Sequence, residues 1–176
     1  MDLKFKTMKK LILTLALAAT VGTAAFATDN GKKSEKSSAS VSYTVLNQFN
    51  VDFADAKDVS WTVTNNSQKA DFTLNNVKMT AFYSLDGEYL GLTHNVDFKS
   101  IPAAAQKDIQ SKYKDYTVGE VIKFETPVAA SNWADRLTTG NEVEPVSYFV
   151  DLKNDSSEIL VRVSPQAGIY FFKQVK

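Results

Sequence analysis

The strongest constraint on this chain is a run of short alternating segments separated by tight turns. Val59, Trp61 and Val63 alternate with polar residues, and Asn65-Asn66-Ser67 then turns the chain. Ala70, Phe72 and Leu74 alternate next, followed by Asn75-Asn76. Val77, Met79, Ala81 and Tyr83 alternate again, and Asp86-Gly87 is a strong hairpin signal before Tyr89 to Thr93. Period-two alternation puts every second side chain on one face, so these four runs predict antiparallel strands with one buried face. A buried face needs a cover. Val45, Leu46, Phe49 and Phe53 recur at three- and four-residue spacing just upstream and predict an amphipathic helix ending near Phe53.

The pattern then restarts. Ser100 is placed to cap a second helix, with Pro102 near its first turn, where a missing N–H is harmless. Ala105, Ile109 and Tyr113 form its apolar stripe. Strands are expected around Val118, Ile122 and Phe124, along Val146 to Leu152, along Ile159 to Val163, and over Ile169 to Val175. Laid over each other, Phe49-x3-Phe53 matches Ile109-x3-Tyr113. Ala70-Asp71-Phe72 falls near Tyr148-Phe149-Val150, and Asp86-Gly87-Glu88-Tyr89 near Ala167-Gly168-Ile169-Tyr170. The expected fold is α+β: tandem helix-plus-four-strand repeats, about 42–98 and 99–176, forming an antiparallel sheet of about eight strands with two helices on one face.

The first 41 residues read differently. Lys4, Lys6, Lys9 and Lys10 precede an uncharged stretch from Leu11 to Ala25, and Ala25-Phe26-Ala27 is a small-x-small cleavage site. This is the order of a secretory signal peptide over residues 1–27. An uncleaved anchor is the alternative, but the apolar run falls short of the ~20 residues a spanning helix needs. Residues 28–41, rich in Ser, Lys, Gly and Asn, read as a flexible linker. The whole chain is neutral, with 20 basic and 20 acidic residues. Cleavage removes four Lys and one Asp and leaves 16 basic against 19 acidic residues, net −3. That balance argues against nucleic acid and against an anionic membrane surface as partners. The expected location is periplasmic or secreted.

Function classes narrow further. With no Cys, disulfides, thiol catalysis and thiolate metal sites are excluded. His94 is the single His, read as a polar residue at a strand end, and no Gly-x-Ser-x-Gly elbow accompanies it. The seven Gly form no phosphate-binding loop. Asp52, Asp55 and Asp58 lack the close spacing and Gly turn of a Ca²⁺ loop and read as the end of the helix and the start of the strand. No catalytic residue, cofactor or metal is implied.

Two features point to binding. A segment of about 126–145 joins the first two strands of the second half, far longer than its counterpart in the first half. It carries Trp133 and Arg136, one of two Trp and one of two Arg in the chain, and both types are enriched at binding hot spots. Trp133 folded back over a sheet edge is the alternative. The second feature is Phe82, Phe149 and Phe171, which lie out of phase with the inward sets and would line the sheet face away from the helices. A one-residue register slip would return them to the core.

Phe49-Asn-Val-Asp-Phe53-Ala-Asp-Ala56-Lys-Asp-Val59-Ser-Trp61 is distinctive. With Ala70-Asp-Phe72, Ala81-Phe82-Tyr83, Asp86-Gly87-Glu88, Ile101-Pro102 and Tyr113-x2-Tyr116, it resembles the PepSY-like family over roughly residues 42–176. Ile101-Pro102 departs from the usual Leu-Pro. The family comprises small exported bacterial proteins, common in Bacteroidetes, with a fold similar to the β-lactamase inhibitory protein. The resemblance implies that fold and no established activity; inhibition does not transfer with a fold. The leading expectation is an exported, non-enzymatic binding or inhibitor-like module that recognises a protein or peptide of the cell envelope through the open sheet face and the 126–145 loop. The alternatives are a periplasmic enzyme accessory or acid-based hydrolase, and a self-associating envelope structural protein.

Overall fold

The computed structural model describes residues 40–127 and 144–176. The expected signal peptide, nearly all of the linker, and Trp133 and Arg136 lie outside the described residues. Helix α1 (Tyr43–Asp52) leads into β1 (Lys57–Val63), β2 (Gln68–Leu74), β3 (Val77–Tyr83) and β4 (Tyr89–Val96). A 3-10 turn (Phe98–Ser100) and helix α2 (Ala103–Lys112) lead into β5 (Thr117–Glu125), β6 (Val146–Lys153), β7 (Glu158–Val163) and β8 (Ile169–Gln174). The eight strands form one antiparallel sheet whose spatial order equals their chain order.

Both helices lie on the same face. Val45 and Phe49 of α1 pack with Ala70, Phe72, Ala81 and Tyr83, while Ala105 and Ile109 of α2 pack with Val121, Val150, Leu152, Ile159, Val161 and Val163. Ala81 faces Leu92, Leu92 faces Glu125, and Glu125 faces Val146. Directly paired residues share a face and alternate residues repeat it, so Ala81 and Val150 point the same way. The two apolar clusters are separate.

The distinctive aromatic segment builds the first cluster. Phe49 meets Phe53, Trp61 and Phe72 with ring centroids 5.1–5.2 Å apart, and Phe53 meets Phe72 at 4.8 Å. Each such pair contributes about 0.5–1.5 kcal/mol beyond its area burial. Gln68, itself buried, fixes the start of α1: its Oε1 accepts from Ser42 N–H at 2.8 Å, and its Nε2 donates to Ser84 O at 3.1 Å. The Ser42 hydroxyl accepts from Val45 N–H and caps the helix.

One local expectation is corrected. Ser100 sits in the 3-10 turn and does not cap α2; Pro102 holds that position, and Gln106 Nε2 donates to Ile101 O at 2.9 Å. Val118 and Ile122 do not share a face. The β5–β6 register shifts between Val118 and Val121, so two residues, Gly119 and Glu120, oppose Asp151 alone. That bulge places Val118 and Val121 toward α2 and turns Ile122 and Phe124 to the other face.

The overlay of the two halves also shifts. Trp61 pairs with Ala70 as Val121 pairs with Val150, so Asp71 corresponds to Asp151, two residues beyond the sequence overlay. The turns agree in detail. Ser84 N–H donates to Glu88 O, Gly87 N–H to Ser84 O, and Glu88 N–H to Ser84 Oγ. Ser164 N–H donates to Gly168 O, Ala167 N–H to Ser164 O, and Gly168 N–H to Ser164 Oγ. Ala167 therefore corresponds to Gly87, one residue off the expected match, and both have positive φ, +69° and +96°.

Ala167 is strained there while Gly87 is not. The left-handed penalty for an L-residue is about 1–2 kcal/mol, and the chain-entropy cost of introducing Gly is about 0.4–1 kcal/mol. The first exceeds the second. Ala167→Gly is expected to raise stability by about 0.5–1 kcal/mol, read as a higher urea midpoint with an unchanged slope.

Candidate functional site

Both helices cover one face of the sheet and leave the other without a helix. Its first half is polar. Ser60, Asp71, Thr80 and Thr93 form one cross-strand row, and Thr62 and Lys69 lie in the next. Asp71 is satisfied by Lys69 Nζ at 3.0 Å and by the Thr80 hydroxyl at 2.6 Å.

Toward the second half the face becomes apolar. The Thr62–Lys69 row continues to Phe82 and Gly91. Gly91 has φ +143°, and a Cβ there would stand 2.7 Å from the Phe124 ring and 2.6 Å from Glu125 O. The missing side chain is what lets Phe124 lie against the β4 backbone. The next row runs Asn95, Ile122, Phe149, Arg162, Tyr170 across five strands. Phe172 joins it through another bulge: the β7–β8 register shifts between Leu160 and Val161, and the Phe172 ring meets Phe149 edge-to-face at 4.8 Å.

Arg162 is the charged centre of this row. Its guanidinium lies 5.0 Å from the Tyr170 ring centroid, and its Nη1 donates to Glu144 Oε2 at 3.3 Å. Glu144 stands at the base of the long β5–β6 connection, whose ends are tied by Thr126 N–H to Pro145 O at 3.0 Å and Thr126 Oγ1 to Glu144 O at 2.9 Å. The connection therefore leaves the sheet beside the Arg162–Tyr170 pair.

Asp151 sits on the same face and is only 2% exposed. It corresponds to Asp71, but Leu160 stands where Thr80 supplied a donor. Lys153 Nζ reaches Asp151 Oδ2 at 2.6 Å and Glu158 Oε1 at 3.1 Å. The approach to Asp151 is a charge contact without hydrogen-bond geometry, and Oδ1 finds no donor. Burial works to lower the Lys153 pKa, and the contacts to Asp151 and Glu158 outweigh it, so the pKa is raised.

The sequence-predicted binding residues separate. Phe82 is on the helix-free face and half-buried. Phe149 is on that face but only 4% exposed, covered by Phe172. Phe171 is 64% exposed yet pairs with Val161, so its register places it on the helix side of β8. Neighbouring Tyr170 and Phe172 hold the helix-free side. Arg162, Tyr170, Phe172 and Phe124 were missed in the sequence. The Arg-x7-Tyr spacing of a tight hairpin was the available signal for the first two.

His94 is inside β4 rather than beyond a strand, on the helix side, paired with Met79 and Lys123. Its Nδ1 lies 3.8 Å from Glu125 Oε1, and Lys123 Nζ holds that same oxygen at 3.0 Å. Burial is the largest influence and lowers the His94 pKa; Glu125 opposes and Lys123 adds to the lowering. Burial, with Asp52 and then Glu125 nearby, pushes the Tyr89 hydroxyl up to about 12, and burial, with Asp52 and Tyr89, also raises Tyr83. These hydroxyls stay protonated at neutral pH. Asp52 ends α1, and Asp58 takes φ +54° in the β1 bulge. Among the described residues no three His, Asp or Glu side chains gather to hold a metal ion.

Comparison with known proteins identifies the fold. No family model and no curated protein matches the sequence. Solved structures do match in three dimensions. A BLIP-like protein from Bacteroides fragilis superposes with a TM-score of 0.59 at 15% identity, covering 76% of this chain and 86% of that one. A candidate periplasmic protein of Bacteroides eggerthii gives 0.63 at 13% identity, over 77% and 90%. A DUF2874 family protein from Bacteroides uniformis gives 0.62 at 13% identity, over 77% and 90%. The chain has a BLIP-like fold. No helix among the described residues is long and apolar enough to cross a membrane.

The His94 environment has a pH consequence. Its folded-state pKa lies below the unfolded value of about 6.5, so the unfolded chain binds the extra proton first. Stability is then full above about pH 6.5 and falls as pH drops toward the folded pKa. Urea unfolding between about pH 7.5 and 5.5 is expected to show this fall, and His94→Gln to remove it. An identical slope in both proteins would exclude His94 as the source.

Proposed function

We propose that the chain is an exported, non-enzymatic binding or inhibitor-like module of the PepSY-like type, which recognises a protein or peptide of the cell envelope through the helix-free sheet face. The observation that carries this reading is the row Ile122–Phe149–Arg162–Tyr170 with Phe172 beside it. Arg and aromatic side chains are the residue types that dominate binding energy at interfaces. Here a buried Phe149 anchors the centre while Tyr170 and Phe172 keep 52% and 42% of their surface open. The 126–145 connection, with Trp133 and Arg136, leaves the sheet at Glu144 beside Arg162 and is the second contact region of the proposal.

Export is supported by the N-terminal pattern of residues 1–27 and by the periplasmic candidate among the structural neighbours. The non-enzymatic reading rests on the sequence, which has a single His and no Cys.

Capture from an envelope fraction tests the surface. Immobilised wild type and Lys107→Ala, on the outer side of α2, are expected to retain the same polypeptide. Arg162→Ala combined with Tyr170→Ala is expected to weaken that capture about thirty-fold, the effect of losing a hot spot of ~2 kcal/mol. Undiminished capture by this double variant would remove the sheet face from the proposal. Equal capture by wild type and Trp133→Ala/Arg136→Ala would remove the loop alone.

A further inference from the structure

The strand order leaves β1 and β8 as the two sheet edges. Three consecutive large aromatics on β8, Tyr170, Phe171 and Phe172, are exposed. No strand among the described residues covers their outer edge. An edge that is apolar on both faces is a template for another strand.

The backbone of β8 is suited to pair with itself. Ser164 and Gly168 form the hydrogen-bonded pair that closes the β7–β8 turn. Bonded and non-bonded pairs alternate along an antiparallel ladder, so Tyr170 bonds inward to Arg162, and Ile169 and Phe171 turn their N–H and C=O outward. We infer that β8 pairs antiparallel with β8 of a second copy across a two-fold axis at Phe171. Phe171 then exchanges both backbone hydrogen bonds with its own counterpart. Tyr170 meets the second copy's Phe172 on the helix-free face, and no charged residue stands opposite a like charge in this short ladder.

The opposite edge does not compete. β1 is broken by a bulge between Lys57 and Ser60, with Asp58 in a left-handed conformation, and it offers Ser60 and Thr62 where β8 offers aromatics. A β8-to-β1 contact would propagate into filaments, whereas β8 to β8 closes at two copies. The β8 bulge at Phe172 keeps the regular pairing short. The exposed parts of the three rings amount to roughly 300 Å² per copy, below the ~800 Å² per partner of a stable complex. The dimer is therefore weak and reversible and forms at high protein concentration.

The absence of Cys makes the test clean. Hydrogen-bonded antiparallel partners have Cα atoms ~5.5 Å apart, within disulfide reach. Under mild oxidation of the purified protein, Phe171→Cys is expected to form a cross-linked dimer at least tenfold faster than Thr62→Cys on the β1 edge. Sedimentation of the wild type is expected to show the mass rising with concentration to two copies and stopping, and Phe171→Lys to stay monomeric. Phe171 is exposed, so both variants are expected to keep the wild-type circular dichroism spectrum. Equal cross-linking rates, a constant wild-type mass, or a mass growing beyond two copies would each overturn the inference.

Discussion

The pairing of β4 with β5 is the contact on which the architecture depends. Five residue pairs, from Leu92–Glu125 to Val96–Val121, join two helix-plus-four-strand halves that otherwise bury separate apolar clusters. Because the ladder carries side-chain parity across the junction, it sends both helices to the same side. The other face becomes a single eight-strand surface, polar at one end and aromatic at the other. His94, Lys123 and Glu125 sit at this junction on the helix side.

Much of the element plan was legible in the sequence, because alternation and turn residues are local signals. Val59, Trp61 and Val63 mark one strand, Asp86-Gly87 marks a hairpin, and the stripes ending at Phe53 and Tyr113 mark two helices. The errors cluster where a strand gains one residue. Bulges at Gly119–Glu120 and at Phe172 each invert the phase of everything beyond them. The sequence offers no strong mark of either, since a bulged strand differs from a regular one only in its partner. Period-two alternation from Val118 therefore does not give the faces of Ile122 and Phe124, and on β8 the parity set by Arg162–Tyr170 gives the helix-free face to Tyr170 and not to Phe171. The helix-free face was legible as a candidate site. Its charged centre was not, because Arg162 and Tyr170 become neighbours only through a cross-strand register.

The two Asp at corresponding places show how one framework diverges. Asp71 keeps a Thr donor and solvent. Asp151 has lost that donor to Leu160 and leans on Lys153, whose ammonium it shares with Glu158, at the margin of the aromatic patch. A buried carboxylate with an unmet acceptor costs ~1–3 kcal/mol, a local burden on the face proposed for recognition.

The sheet order, identical to the chain order, has a kinetic meaning. Every strand pairs with its immediate predecessor; the β4-to-β5 step crosses a helix and the β5-to-β6 step crosses the long connection. Loop closure is short at the tight hairpin turns and longer at the β4–β5 and β5–β6 connections, where the entropy cost rises only slowly with length. In a sheet ordered this way the last strand of any N-terminal portion of the chain is its open edge, and β8 holds that place in the whole domain.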